Sequence, residues 1–180
     1  MSDDRLLTVL HVCTGNICRS PMSERILDGL TGDDVYNHGA GTSPYHEGED
    51  MQANSHAQLE ERGYDVRRHH ARALDRAAVE MSDLILVATD GHREFIASNF
   101  PEALDRTFLV RQIGAAAEGL RAPAGDAKAR AKALMEHARS AGNGEENLAD
   151  PWGLGMATYE RIADQLETAL KPVARVLDTR

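Results

Sequence analysis

The strongest constraint on the fold is a strand-like run that passes within a few residues into a helix start. Leu6 to Val12 (LLTVLHV) is short, apolar and rich in β-formers, and reads as a buried strand. A loop with Gly15 and Asn16 follows at once. Ser20-Pro21-Met22-Ser23-Glu24 then opens a helix, with Ser20 as the expected N-cap, Pro21 at the first helical position and Glu24 in the first turn. Met22, Ile26, Leu27 and Leu30 fall on one face at helical spacing, and Gly32 ends the segment. The alternation then continues. Val35 to Ala40 is a weaker strand, and Gly41-Thr42-Ser43-Pro44 with Gly48 marks a loop. Met51 to Arg62 is a helix stopped by Gly63, and Leu74 to Met81 is a shorter helical stretch. Asp83 to Thr89 is the clearest second buried strand. His92 to Asn99 is helical, and Thr107 to Val110 is a third good strand. Thr158 to Leu177 carries an apolar stripe (Tyr159, Ile162, Leu166, Leu170) and is expected to break near Pro172. Strands alternating with helices predict a parallel α/β sheet covered on both faces.

At 180 residues the chain fits one domain, read here as 1–180. The stretch from Ala115 to Asn147 differs in texture: it is rich in Ala, Gly and charge. It is expected to be an insertion at about 115–147 with one helix near 126–141 between flexible loops, most simply a tolerated surface addition. Hydrophobic residues at 42% and charged residues at 27% are ordinary for a globular protein. No apolar run approaches the ~20 residues of a membrane helix, and Met1 to Arg5 holds two acids where a signal peptide carries basic residues. The expected location is cytoplasmic, with no membrane partner. A net charge of −9 argues against a broad nucleic-acid surface. The oligomeric state is not legible.

There are two cysteines, Cys13 and Cys18, too few and too close for a disulfide scaffold. Their spacing leaves two readings open: small packing residues, or redox and nucleophilic chemistry. The octet Cys13-Thr14-Gly15-Asn16-Ile17-Cys18-Arg19-Ser20, set between strand and helix, favours the second. The free amides and dipole of a helix start attract an anion. Gly15 permits close backbone approach, and Asn16 tolerates left-handed geometry. Arg19 presents a planar fork of donors that matches two phosphate oxygens. Cys13, at the mouth of this cationic nest, is expected to react as a thiolate, with Ser20 donating a hydrogen bond to it. Such a nest suits phosphoryl transfer, where charge spreads over three equatorial oxygens. Cys18 either captures an oxidised Cys13 as a disulfide or is a packed thiol. His46, His69, His70, His92 and His137 show no metal spacing and are expected to be surface or internally satisfied residues. No metal and no organic cofactor is expected, because the thiolate and Arg19 take over the usual work of a metal.

The segment VCTGNICRSPMSE, from Val12 to Glu24, resembles the signature of the low-molecular-weight protein-tyrosine phosphatases. Four later segments resemble the family's other motifs. Gly39-Ala40-Gly41-Thr42 resembles its Ser-Ala-Gly-Thr strand end, and Tyr45-His46-Glu47-Gly48 its Trp-His-x-Gly loop. His70-Ala71-Arg72-Ala73-Leu74 resembles its His-x-Ala-Arg-x-Leu segment, and Asp150-Pro151-Trp152-Gly153 its late Asp-Pro-aromatic motif. The resemblance spans nearly the whole chain outside about 115–147. It implies a three-layer sandwich around a central four-stranded parallel sheet, flavodoxin-like in topology. It also implies hydrolysis of phosphotyrosine in proteins, and of aryl phosphates, through a phosphocysteine. Cys13 is then the nucleophile, Arg19 the phosphate ligand and Asp150 the general acid and base. Thr14, Gly15, Asn16, Ile17, Cys18 and Ser20 surround the phosphate, and Tyr45 and Trp152 form aromatic walls. His70 and Arg72 are expected to support the fold near the cleft.

Two departures bear on substrate choice: Tyr45 stands where the family's loop has Trp, and Glu49-Asp50-Met51 where it often has Asp-Pro-Arg. The acidic stretch Glu47, Glu49, Asp50 reads as a solvated face, or as a device that repels acidic phosphopeptides. Two rival enzymes share the loop. Protein-arginine phosphatases resemble it but carry Thr where Ile17 stands, and the apolar Ile17 favours a phenyl ring over a guanidinium. Thioredoxin-coupled arsenate reductases need resolving cysteines that do not exist after Cys18, which leaves only a type using a small external thiol.

Overall fold

A computed structural model describes residues 6–141 and 146–179. The acidic N-terminus at Met1 to Arg5, and Gly142 and Gly144 of the loop expected after the helix at 126–141, lie outside the described residues. Four strands, β1 (Leu7–Cys13), β2 (Val35–Gly41), β3 (Leu84–Val87) and β4 (Thr107–Leu109), form one parallel sheet in the order β2-β1-β3-β4. The helices are α1 (Arg19–Leu30), α2 (Ala53–Glu61), α3 (Arg76–Glu80), α4 (Asp90–Asn99), α5 (Val110–Glu118), α6 (Ala127–Ser140) and α7 (Met156–Leu177).

Side chains alternate across a strand, so each sheet face has its own core. Leu7, Val9 and Cys13 of β1, with Leu84 and Leu86 of β3, join the cluster built on α1, α5, α6 and α7. Leu10, Val12, Ile85 and Val87 point the other way, onto Val79 of α3 and Ile96 of α4. Fully buried Leu, Ile and Met side chains contribute about 1.5–3 kcal/mol each. Met22, Ile26 and Leu27 of α1 are all at 0% exposure, which fixes the face this helix turns to the sheet. From β1 the chain crosses to β2 on one side, then returns past β1 to β3 on the other. That reversal opens a crevice at the C-terminal ends of β1 and β3, where open α/β sheets place ligands.

Three local expectations change. Ser20 is not the N-cap of α1: Cys18 holds that position without a side-chain cap, and Ser20 sits inside the first turn. The helix starts two residues further back because the loop ahead of it is held by other contacts, described below. The break expected at Pro172 does not occur, and α7 continues to Leu177. A proline inside a helix costs about 3 kcal/mol. Burial of Leu170, Val173, Val176 and Leu177 on the flanking turns outweighs that cost. The Ala-rich start of the 115–147 stretch is the end of α5. There Ile113, Ala116 and Ala117 are buried, and Gly114 lets α5 approach α7 so closely that a Cβ would lie 2.6 Å from Ala169 Cα. The helix expected at 126–141 is α6, and its Ala127, Ala131, Leu134 and Ala138 enter the core shared with α7.

Candidate active site

β1 ends at Cys13 and α1 begins at Arg19, so residues 14–18 must turn the chain between them. Asn16 takes φ 56°, the left-handed region that Asn visits more readily than most residues. The loop's carbonyls are tied outward. Cys13 O accepts from Thr42 N (2.9 Å), Thr14 O from Ser43 N (3.0 Å) and Ile17 O from Gln52 N (2.8 Å). None of the amides of Thr14 to Cys18 is given to a backbone carbonyl among the described residues. Tied carbonyls outside and free amides inside make an anion-binding nest. Gly41 permits the close strand approach: a Cβ there would lie 2.5 Å from Thr14 O.

Asn16 straps the loop from behind. Its Nδ2 donates to Ser20 Oγ (2.8 Å), its Oδ1 accepts from Arg72 N (3.1 Å), and its carbonyl lies 2.7 Å from His69 Nε2. Ser20 Oγ lies 3.0 Å from Cys13 Sγ. Because Ser20 accepts from Asn16, its own proton is free to be donated to the sulfur. Arg19 is 4% exposed; its Nη1 donates to Leu148 O (3.0 Å) and its Nη2 lies 3.6 Å from Asp150 Oδ2. Arg19 Nε is buried with no hydrogen-bond partner among the described residues. A buried, unpaired guanidinium N–H is costly, and an oxyanion seated over the loop would relieve it.

Cys13, Arg19 and Asp150 line one cleft of about 320 Å³, together with Thr14, Gly15, Ile17, Cys18, Tyr45 and Trp152. Asn16 and Ser20, expected around the phosphate, do not line it: their side chains sit behind the loop at 0% and 2% exposure. Cys18 lies 3.6 Å from the Tyr159 hydroxyl, and burial pushes its thiol up to about 11, so at neutral pH it is protonated. Both cysteines are free thiols. At the rim, the His46 ring meets Tyr45 edge-on at 4.8 Å and Trp152 at 6.3 Å, and its Nδ1 is 2.8 Å from Glu49 Oε2.

Sequence reasoning missed two histidines. His69 and His92 are buried, and both reach the phosphate loop, His69 at Asn16 O and His92 at Thr14 Oγ1 (2.9 Å). His69 also corrects the register of one motif. It stands in the His-x-Ala-Arg-x-Leu relation to Ala71, Arg72 and Leu74, whereas His70 is exposed. The spacing itself was the available signal. Arg72 does support the region, donating from Nε to Gly39 O (2.9 Å) and from Nη2 to His38 Nδ1. Among the described residues no group of three His, Cys, Asp or Glu side chains is placed to hold a metal ion, and no helix is long and apolar enough to cross a membrane.

A cysteine and an arginine beside a loop of free amides, at the switch point of a parallel sheet, make a nest that can seat an oxyanion. The profile of the family described as low molecular weight phosphotyrosine protein phosphatase matches residues 8–119, and the chain belongs to that family. It is a hydrolase of the protein-phosphatase class. Among similar proteins is the protein-arginine-phosphatase of Geobacillus stearothermophilus, 28% identical over 173 residues, covering 95% of this chain and 96% of the relative. The low molecular weight protein-tyrosine phosphatase A of Mycobacterium bovis is 30% identical over 188 residues, covering 100% and 96%. Two solved structures match with TM-scores of 0.73. They are the YwlE arginine phosphatase from Geobacillus stearothermophilus (28% identity, 93% of this chain and 90% of that one) and Vibrio vulnificus Wzb in complex with benzylphosphonate (25% identity, 94% and 98%).

Proposed function

We propose that this protein hydrolyses phosphotyrosine in proteins, and aryl phosphates generally, in two steps at Cys13. The Cys13 sulfur attacks phosphorus and the bond to the phenolic oxygen breaks, while Asp150 gives its proton to that oxygen. Water then attacks the phosphocysteine, the Asp150 carboxylate takes the water's proton, and the S–P bond breaks to release phosphate and the thiolate. Ser20 stabilises the sulfur anion at both ends of the cycle. The loop amides and Arg19 hold the three equatorial oxygens.

The observation that carries this reading is the buried Arg19 Nε, without a hydrogen-bond partner among the described residues, in the same loop as a Cys13 sulfur 3.0 Å from Ser20 Oγ. Tyr45 and Trp152, exposed on either side of His46, supply flat apolar surface for a phenyl ring. A cytoplasmic site of action fits a reaction that depends on a free thiol. Hydrolysis of phosphoarginine is the second reading, favoured by the matching arginine phosphatases. Against it stands Ile17, which lines the cleft as an apolar wall where a guanidinium would want a polar partner.

The test compares a phosphotyrosine peptide, p-nitrophenyl phosphate and phosphoarginine. Cys13→Ser should lose activity on all three by roughly a thousandfold or more. Asp150→Asn should lose roughly a hundredfold on phosphotyrosine and far less on p-nitrophenyl phosphate, whose leaving group needs little protonation. Equal losses on both esters would remove Asp150 from the acid role. A higher kcat/KM on phosphoarginine would replace tyrosine with arginine.

A further inference from the structure

We infer that the stretch from Trp152 to Met156 is a docking shelf for the chain around the phosphotyrosine, and that the preferred substrate segment carries a large apolar side chain on one flank of that tyrosine and a basic one on the other. The inference rests on the phosphatase reading above and names the kind of phosphoprotein that the same cleft takes.

Six large apolar side chains are exposed among the described residues. Four of them, Tyr45, Trp152, Leu154 and Met156, line the cleft or follow its wall within four residues. Exposed apolar surface gathered in one place marks an interaction site. Tyr45 and Trp152 are taken up by the phenyl ring. Leu154 (54% exposed) and Met156 (42%) have no part in the chemistry and fill no core. Both are nevertheless held. Leu154 N donates to Pro151 O (2.9 Å), which closes a turn through Gly153 at φ 76°, the left-handed region open to glycine. Met156 opens α7, and its Sδ accepts from Gln58 Nε2 on α2 (3.4 Å). A surface already in place loses little entropy when a partner covers it. No charged residue interrupts the sequence from Trp152 to Thr158.

On the other side of His46 the rim changes character. The loop of Tyr45 carries Glu47 and Glu49, both exposed. Arg19 is the only Lys or Arg among the described residues lining the cleft, and it is buried at the floor, where the phosphate uses its charge. The rim therefore offers acids and no cation to the flanks of a substrate, in a chain whose net charge is −9. Such a field draws in a basic flank and repels an acidic one. A phosphotyrosine seated in the cleft sends the residues before and after it across the rim, at about 3.3–3.6 Å per extended residue. One flank meets the apolar shelf and the other the acids.

The test measures kcat/KM on phosphotyrosine peptides of one length, with p-nitrophenyl phosphate as the control without flanks. The flanks are Ser alone, or Ser with one Leu, one Lys or one Glu, each placed before and then after the tyrosine. In one of its two places Leu should raise kcat/KM by roughly threefold to tenfold over Ser, and Lys should do so in the opposite place, where Glu should lower it. Leu154→Ser should abolish the gain from Leu. Glu47→Lys should reverse the order of Lys and Glu, a gain on acidic peptides that a loosened fold would not give. Both variants should leave p-nitrophenyl phosphate unaffected. Added salt should erase the gain from Lys and spare that from Leu. Peptide binding to Cys13→Ser should show the same preferences without turnover. A wild type indifferent to its flanks, or either variant with wild-type preferences, would overturn the shelf. So would a dimer that Leu154→Ser dissociates while the preference for Leu stays, because a second copy would then be what covers it. Failure of the phosphatase reading looks different: no turnover of any ester, by a protein whose Cys13→Ser form still binds Leu and Lys flanks best.

Discussion

The floor and the rim of the cleft are built on opposite terms. At the floor, Cys13, Asn16, Ser20 and Arg19 are all buried, and each is tied by at least one side-chain hydrogen bond. At the rim, Tyr45 is 82% exposed and Trp152 58%. The side-chain ties there lie near the surface: Tyr45 N to Ser43 Oγ, His46 Nδ1 to Glu49 Oε2, Trp152 N to Asp150 Oδ1, and the 3.6 Å approach of Asp150 to Arg19. The floor must present donors to a transition state without reorganising, which demands rigidity. Exposed loops such as the rim tolerate variation. One cleft therefore joins a buried, tied floor to an exposed aromatic rim, and the proposed division of labour is phosphate chemistry at the first and substrate choice at the second.

Breaking the floor should cost the most. Arg19→Lys replaces a two-pronged donor with a point charge and should lower kcat by roughly a hundredfold to a thousandfold, read by steady-state kinetics on p-nitrophenyl phosphate. A loss below tenfold would show that the fork is not what holds the phosphate. Asn16→Ala removes the ties to Ser20 and Arg72 at once, and places alanine at a positive φ. It should lower stability by about 2–3 kcal/mol in urea unfolding and lower kcat with it. A stable variant with normal kcat would show that the strap is redundant.

Acid should attack the floor's backing before it touches the rim. Burial pushes His11, His38 and His92 down to about 4 from 6.5. Their folded values are depressed, so the stability they contribute is present above 6.5 and is lost as pH falls toward 4. Each contributes roughly 2–3 kcal/mol, so the melting temperature should drop steeply between pH 6.5 and 4. Glu24 runs the other way. Burial raises it to about 7 from 4.5, so its contribution is present below 4.5 and is lost as pH rises through 7. Glu24→Gln should therefore stabilise the protein at pH 8 by about 1–2 kcal/mol, after allowing for partial solvent contact. A pH-independent melting temperature from 4 to 8 would contradict both assignments.

The rim should yield the smallest effects. Tyr45→Ala and Trp152→Ala should each raise KM for aryl phosphates by roughly threefold to tenfold, with kcat and melting temperature close to wild type. A change in kcat as large as that of Asn16→Ala would mean that the two regions are not independent.

The strand–loop–helix at residues 6–30, the alternation of strands and helices, and the cysteine-to-arginine octet were all legible in the chain, because local periodicity and turn chemistry need only neighbouring residues to express them. The expectation for Asp150 and Trp152 came only from resemblance to a family motif, and the structure brings both to the cleft beside Cys13. Ser20 misled for an instructive reason. Its place before a proline reads as a cap, yet its hydroxyl is engaged within the loop, by Asn16 Nδ2 and Cys13 Sγ, and the helix starts two residues earlier. His69 and His92 looked like satisfied histidines, which they are. That the groups satisfying them belong to the phosphate loop, some 53 and 78 residues away in the chain, is a fact of the folded state. Local pattern sets which elements form and where an anion nest can arise. Long-range packing sets which side chains brace that nest, because hydrogen bonds between remote residues exist only once the sheet has brought them together.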